Sequence, residues 1–425
     1  MNILVVSAQK PDSTGSGVYL AETVRAFCAR GHKVAVIAGI DIDDEPILPK
    51  STLFFPVRFC TDTLPFPVCG MSDEMPYKAT RYRDMTSAMV SQFCAAFREA
   101  LAEVREQFEP DVVICHHLYL ATAVVVEAAF TCPVAAVCHS TDLRQMHIHD
   151  LERARIVQAM RKLDCVFALH EAQKCEIAEL YGIPFSRICV VGTGYNDAVF
   201  YEGDSQYRRT DGALDVAYAG KIWRKKGVAS LIRCLDMLPY PPKQFCLRLA
   251  GGYNSATELA YMQELATKSR YDVEFLGKLS QESLARVYRQ SHVFVLPSFF
   301  EGLPLVVIEA LACGCVVVVS DLAGIRDWLN SAAPAAPVVY VAPPRMVGVD
   351  EPLQKDLPAF EQRLASALVR AADMAENKLN IHKSEVREKG AQQVCSSTPL
   401  DTTFAGVRHL SWDALAKRML EALIR

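Results

Sequence analysis

Glu301 and Glu309, two carboxylates with seven residues between them, are the side chains in this sequence best placed to do specific chemistry. They bracket a predicted strand-to-helix junction. Val293-Phe-Val-Leu-Pro297 is a short apolar run suited to a buried parallel strand. Pro304 to Cys313 is an apolar stretch closed by Gly314, and proline at the start with glycine just past the end marks a helix. Glu301 therefore falls in the loop at the strand's carboxyl end, and Glu309 on the helix that follows. Ligands of open α/β sheets bind in that crevice. A helix start offers free N–H groups to an anion, and a nearby carboxylate accepts both hydrogens of a vicinal diol. Together these suit phosphates and sugar hydroxyls, the two halves of a nucleotide sugar. Without that context, the same glutamates would read as a solvated loop acid and the polar face of a packing helix.

Three further segments carry candidate chemistry. Ala219-Gly-Lys221-Ile-Trp-Arg-Lys-Lys226-Gly227 follows a predicted strand over Asp215 to Ala219. Fixed cations there, Lys221 and Lys226 with Arg224 and Lys225 as substitutes, would stabilise charge growing on a departing diphosphate. Asp12-Ser-Thr-Gly15-Ser-Gly17-Val18-Tyr19 lies between the first strand and first helix, where glycines let the backbone approach a phosphate or sugar. A dinucleotide fingerprint fails in that loop because position 20 is leucine. Cys138-His139-Ser140-Thr141-Asp142-Leu-Arg144 follows another predicted strand and contributes a histidine and a carboxylate.

The run Ser-Phe-Phe-Glu301-Gly302-Leu303-Pro-Leu-Val-Val-Ile-Glu309-Ala-Leu-Ala-Cys-Gly314 resembles the E-x7-E signature of retaining family 4 glycosyltransferases of the GT-B fold. The segment from Lys221 to Gly227 is similar to the family's G-R-x-x-x-x-K-G element, with lysine where arginine is usual, a change that keeps the charge and loses the bidentate fork. Residues 138–142 resemble its H-G-T-D segment, with Ser140 in place of glycine. The Gly15-Ser-Gly17-Val form is similar to that of the bacillithiol-pathway enzyme, which uses malate as acceptor. The resemblance implies a metal-independent, retaining transfer of a sugar from a nucleotide diphosphate donor, UDP by family habit, to an acceptor hydroxyl, with no cofactor. It makes Glu301, Lys226 and His139 catalytic, His139 lying beneath the transferred sugar. It gives the donor Gly15, Gly17, Lys221, Lys226, Glu301, Gly302, Leu303 and Glu309. Thr141, Asp142, Arg144, His117, Arg81 and Arg83 are the candidate acceptor contacts, and the proline-interrupted loop Pro65 to Lys78 is a candidate cap of that pocket. Two other readings stay open on these residues: a nucleotide-sugar 2-epimerase on the same scaffold, and a non-catalytic nucleotide-sugar-binding subunit.

Composition sets the frame. At 425 residues the chain exceeds one core, so two domains are expected. With 51% hydrophobic residues, 22% charged residues and a net charge of -4, it is an ordinary globular chain without the basic face that nucleic acid requires. Fifteen cysteines without a C-x-x-C pair read as free thiols of a reducing cytoplasm rather than a zinc or redox site. His116-His117 lacks the helical spacing of a zinc pair. Met1 to Ser7 reads as a strand and not a leader, and no run of about twenty apolar residues suggests a membrane span. Contact with a membrane surface stays open, as do the sugar, the oligomeric state and the acceptor, a small molecule or a glycan.

Strands at Ile3 to Ala8, Lys33 to Ala38, Asp111 to Cys115, Val134 to Cys138, Cys165 to Leu169 and Ile188 to Val191 alternate with helices, as do six more strands from Asp215 to Val341. Alternation of this kind predicts α/β architecture: two Rossmann-like doubly wound domains facing a cleft, with a C-terminal helix crossing back to the first. The expected divisions are 1–198 for the acceptor side, 199–408 for the nucleotide sugar and 409–425 for the returning helix. The polar stretch Asn196 to Leu214 is the expected boundary, and Lys383 to Thr403 is polar and of unassigned structure.

Overall fold

The computed structural model describes residues 1–424 apart from 12, 74, 204–207, 209–212, 254, 349–350 and 390–404. Asp12, Glu74 and most of the polar stretches around 204–212 and 390–403 therefore lie outside the described residues. The chain forms two compact units, Met1–Gly194 with Trp412–Arg425, and Tyr195–Ser411, dividing a few residues from 198 and 408.

The first unit is built on β1 (Asn2–Ser7), β2 (Lys33–Asp41), β3 (Leu53–Phe59), the short β4 (Cys69–Gly70) and β5 (Thr80–Arg81), then β6 (Val112–His116), β7 (Val134–Val137), β8 (Cys165–Ala168) and β9 (Ile188–Val190). Its helices are α1 (Gly15–Ala29), α2 (Ser87–Gln107), α3 (Leu120–Glu127), α4 (Thr141–Ile148), α5 (Arg153–Met160) and α6 (Glu171–Tyr181). Seven strands pair in parallel in the order β3-β2-β1-β6-β7-β8-β9. Because helices cover both faces, central strands such as β1 and β6 are apolar and buried almost throughout. The sequence pattern gives no strand at β3, whose Pro56 lacks an N–H. The sheet tolerates it because β3 is the outermost strand.

The second unit carries β10 (Leu214–Ala219), β11 (Phe245–Ala250), β12 (Asp272–Gly277), β13 (Val293–Leu296), β14 (Val316–Ser320) and β15 (Val338–Val341). They are parallel in the order β12-β11-β10-β13-β14-β15. This is a doubly wound order that reverses between β10 and β13, as the first sheet reverses between β1 and β6. Its helices are α7 (Val228–Cys234), α8 (Ala256–Lys268), α9 (Gln281–Gln290), α10 (Leu305–Ala312), α11 (Ile325–Ala332) and α12 (Leu357–Lys389). Residues 383–389 are thus helical. A last helix, α13 (Trp412–Ile424), packs on α1 of the first unit. There the Trp412 ring meets Tyr19 edge-on at 5.1 Å, Asp413 pairs with Arg30 at 2.8 Å, and Arg418 donates to the Val191 carbonyl.

Candidate active site

In the second unit the charged motifs converge at the point of strand reversal. The loop after β10 supplies Lys221 and Lys226, and the loop after β13 supplies Glu301. Gly227 sets their spacing. Its φ is +72°, and a Cβ there would lie 2.1 Å from the Pro297 carbonyl oxygen, so only glycine lets the start of α7 press against the end of β13. The Phe299 N–H donates to the Lys225 carbonyl at 3.2 Å and ties the two loops together. Across this junction Lys226 Nζ donates to Glu301 Oε1 at 2.7 Å and to the Phe300 carbonyl at 3.2 Å. Both side chains remain partly open, at 25% and 16% exposure.

Around that pair the other candidates take different positions. Tyr218 donates its hydroxyl to the Lys221 carbonyl at 2.7 Å, and the Lys221 ammonium sits 4.9 Å from the centre of the Trp223 ring. Arg224 is held by Glu258 of α8 at 2.6 Å and Lys225 by Glu351 at 3.2 Å. Gly302 is half-buried and Leu303 buried in the turn, and α10 starts at Leu305, with Pro304 one residue before it and no side-chain cap on its amides. Glu309 is only 7% exposed on a helix whose other buried positions are apolar. Burial, and after it the Glu309 carboxylate, pushes the neighbouring Tyr288 phenol well up.

In the first unit a different group occupies the equivalent sheet end. The helix α1 begins at Gly15, inside the segment read from the sequence as a loop, because Thr14 caps it, its Oγ1 accepting from the Gly17 N–H at 3.1 Å. Gly15 and Gly17 thus lie in the first helical turn. His139 follows β7, and its Nε2 is 3.0 Å from Nδ1 of His116, the last residue of β6. Tyr19 from α1 meets the His139 ring edge-on at 5.1 Å. Burial pushes the His139 imidazole down to about 3 and holds His116 and His117 well below the ordinary histidine range, so all three rings are neutral near pH 7.

Several expected acceptor contacts also bond to other groups of the protein. Asp142 is fully buried at the start of α4, a helix absent from the sequence reading, and accepts from the Leu118 N–H at 2.7 Å and the His139 N–H at 3.1 Å. It clamps the turns after β6 and β7. His117, also buried, bonds Gln9 through Nε2 at 3.0 Å. Arg81 pairs with Asp84 at 2.6 Å on the exposed surface. Arg144 and Arg83 both reach Asp73 at 3.3 Å. Thr141, the first residue of α4, is half-buried. The loop from Pro65 to Lys78 lies against this end of the sheet: Gln145 of α4 donates to the Met71 carbonyl at 2.8 Å, and the Tyr77 ring lies 4.7 Å from the Lys10 ammonium. Ser140 stands at φ +67°, a conformation that favours glycine, and its hydroxyl accepts from Gln173 at 2.7 Å. Gln9, Tyr19 and His116 were not singled out as site residues from the sequence. Their place directly after β1, on α1 and at the end of β6 is the signal that could have found them.

Among the described residues no cluster of three or more histidine, cysteine, aspartate or glutamate side chains is placed to hold a metal ion, and no helix is long and apolar enough to cross a membrane. The fourteen described cysteines are all free.

Comparison with known proteins follows the division into units. Residues 213–346 match the family model for Glycosyl transferases group 1, and residues 13–199 that for Glycosyltransferase Family 4. The glycogen synthase of Mycobacterium tuberculosis is 25% identical over 392 residues, spanning 86% of this chain and 89% of its own. Sucrose-phosphate synthase from Thermosynechococcus elongatus superposes with a TM-score of 0.64 at 18% identity, over 99% of this chain and 98% of that one. Anabaena HepE, solved in complex with UDP and glucose, gives 0.57 at 14% identity over 92% and 100%. The α/β architecture is thus the GT-B fold. With a glycosyltransferase match in each unit, the chain is a GT-B glycosyltransferase of the group 1/family 4-like kind.

Proposed function

We propose that the protein is a retaining glycosyltransferase that moves a sugar from a nucleotide diphosphate, UDP by resemblance, to an acceptor hydroxyl without a metal ion. The bond from the anomeric carbon to the diphosphate oxygen breaks, and the acceptor oxygen bonds to that carbon on the same face. The acceptor proton passes to the departing diphosphate. Lys226 and Lys221 neutralise the charge growing on that group. Glu309 holds the ribose diol, and Glu301 holds sugar hydroxyls. His139 contributes a neutral ring beneath the sugar. The acceptor is a small molecule or a glycan, delivered to the first unit.

The observation that carries this reading is the 2.7 Å Lys226–Glu301 pair at the strand reversal of the second sheet, a cation for phosphate beside an acceptor for hydroxyls. A panel of nucleotide sugars, assayed for nucleotide diphosphate release with cell extract as acceptor source, tests it. Release should depend on extract, persist in chelator, and yield a product with the donor's anomeric configuration. Loss of activity in chelator with recovery on adding magnesium would overturn the metal-free step. Isomerised nucleotide sugar with no transferred sugar would point to epimerisation.

A further inference from the structure

The rings of His116 and His139 are inclined by only 12°, with centroids 5.2 Å apart. That separation exceeds the 3.0 Å nitrogen–nitrogen distance by roughly the two ring radii. The rings therefore meet edge to edge in nearly one plane, and the hydrogen bond runs along a lone-pair direction rather than across stacked faces. One nitrogen must donate and the other accept, because both rings are neutral.

Burial decides which. Nε2 of His116 is sealed from solvent and has no hydrogen-bond partner among the described residues. A proton placed there would be an unsatisfied buried donor, whereas a bare lone pair leaves the more tolerable defect. The His116 proton therefore sits on Nδ1 and is donated to Nε2 of His139, whose own proton must then be on Nδ1. That second nitrogen of His139 has no partner among the described residues and is not among the buried polar atoms. His117 obeys the same logic independently. Gln9 Oε1, an acceptor that also receives the Ser16 hydroxyl at 3.1 Å, fixes the proton of His117 on Nε2.

We infer that His116 is a positioning residue that locks His139 in the Nδ1–H tautomer, so that His139 meets substrate as a hydrogen-bond donor and not as a base. The kinetic half of this inference rests on the proposed sugar transfer; the tautomer does not. Tyr19, edge-on to both rings at 6.0 and 5.1 Å and donating its hydroxyl to the Gly192 carbonyl, walls the pair in place.

Selective ¹⁵N-histidine labelling of the full chain, with long-range ¹⁵N–¹H correlation at pH 7.5, reads the tautomers directly, His116→Asn and His139→Gln supplying the assignments. Protonated Nδ1 on both rings is the expected result, and protonated Nε2 on His139 overturns the inference. In transfer assays His116→Phe should lower kcat about tenfold at nearly unchanged donor KM, as befits one misdirected hydrogen bond. His116→Asn places an amide N–H close to the lost Nδ1–H and should restore most of that rate. Equal defects in the two variants, each shown folded by its melting curve, would reduce His116 to packing. Should the wild-type protein transfer no sugar from any donor, the functional reading fails, and the spectrum still decides the tautomer.

Discussion

The carboxyl ends of the two parallel sheets share a topology and differ in chemistry. At the β10/β13 reversal the second unit gathers charge, with Lys226 on Glu301 at 2.7 Å and Lys221 nearby on loops that Gly227 brings into contact. At the β1/β6 reversal the first unit gathers neutral rings: His116, His117 and His139 pushed down by burial, and Tyr19 pushed up by the same cause. Desolvation disfavours charge in one place, and a half-open turn tolerates it in the other. One doubly wound frame thus supplies a polar cradle and an uncharged wall of rings, in which His116, His117 and Tyr19 are buried and His139 is half-buried.

Removing charge from the cradle should have the largest effect. Lys226→Ala is expected to lower kcat by about 10²–10³, the range for deleting one electrostatic donor to a developing charge, measured as nucleotide diphosphate release. A loss below about threefold would break the contrast at its charged end. Next comes Asp142→Ala, which strips the acceptor from the Leu118 and His139 amides and should destabilise the protein by about 2–3 kcal/mol in chemical denaturation. Were Asp142 an acceptor contact instead, the variant would keep its stability and raise only the acceptor KM.

Acid should loosen the wall of rings. His139 has a folded value near 3 against an ordinary 6.5, and His116 and His117 are lowered as well. For His139 the unfolded chain binds the proton, so its contribution is complete above about pH 6.5 and is lost as pH falls toward 3, and His116 and His117 act in the same direction. His139 alone removes up to about 1.4 kcal/mol per pH unit within that window. Asp142, raised by burial, pulls the other way. Hydrogen exchange at pH 7.5 and 5 should show protection falling first around β6 and β7, and equal loss in both units would blur the distinction. The smallest effect is expected from Ser140→Gly. Relief of the positive φ and loss of the Gln173 hydrogen bond are each worth about 1 kcal/mol and should leave stability within about 0.5 kcal/mol of the parent.

The charged cradle was legible in the sequence because its parts are short and local: strand, turn, glycine and helix follow one another within residues 215–227 and 293–314. The neutral wall was legible only in His139 and His117. Gln9, Tyr19, His116 and His139 come from four elements, and only the pairing of β1 with β6 and of β6 with β7 sets them side by side. Periodicity also missed α4, whose first turn spends Asp142 on the backbone, and β3, where Pro56 hid an edge strand. The internal bonds of Asp142, His117 and Arg81 were likewise not legible, because their partners Leu118, Gln9 and Asp84 are set by the fold.

The docking of α13 on α1 also orders events during synthesis. The first unit needs Trp412 beside Tyr19 and Gly194, yet roughly 200 residues of the second unit must be translated in between, on the order of tens of seconds at ribosomal speed. Through that interval the nascent first unit waits with Tyr19 lacking its indole neighbour, and the second unit has time to fold before the first is finished.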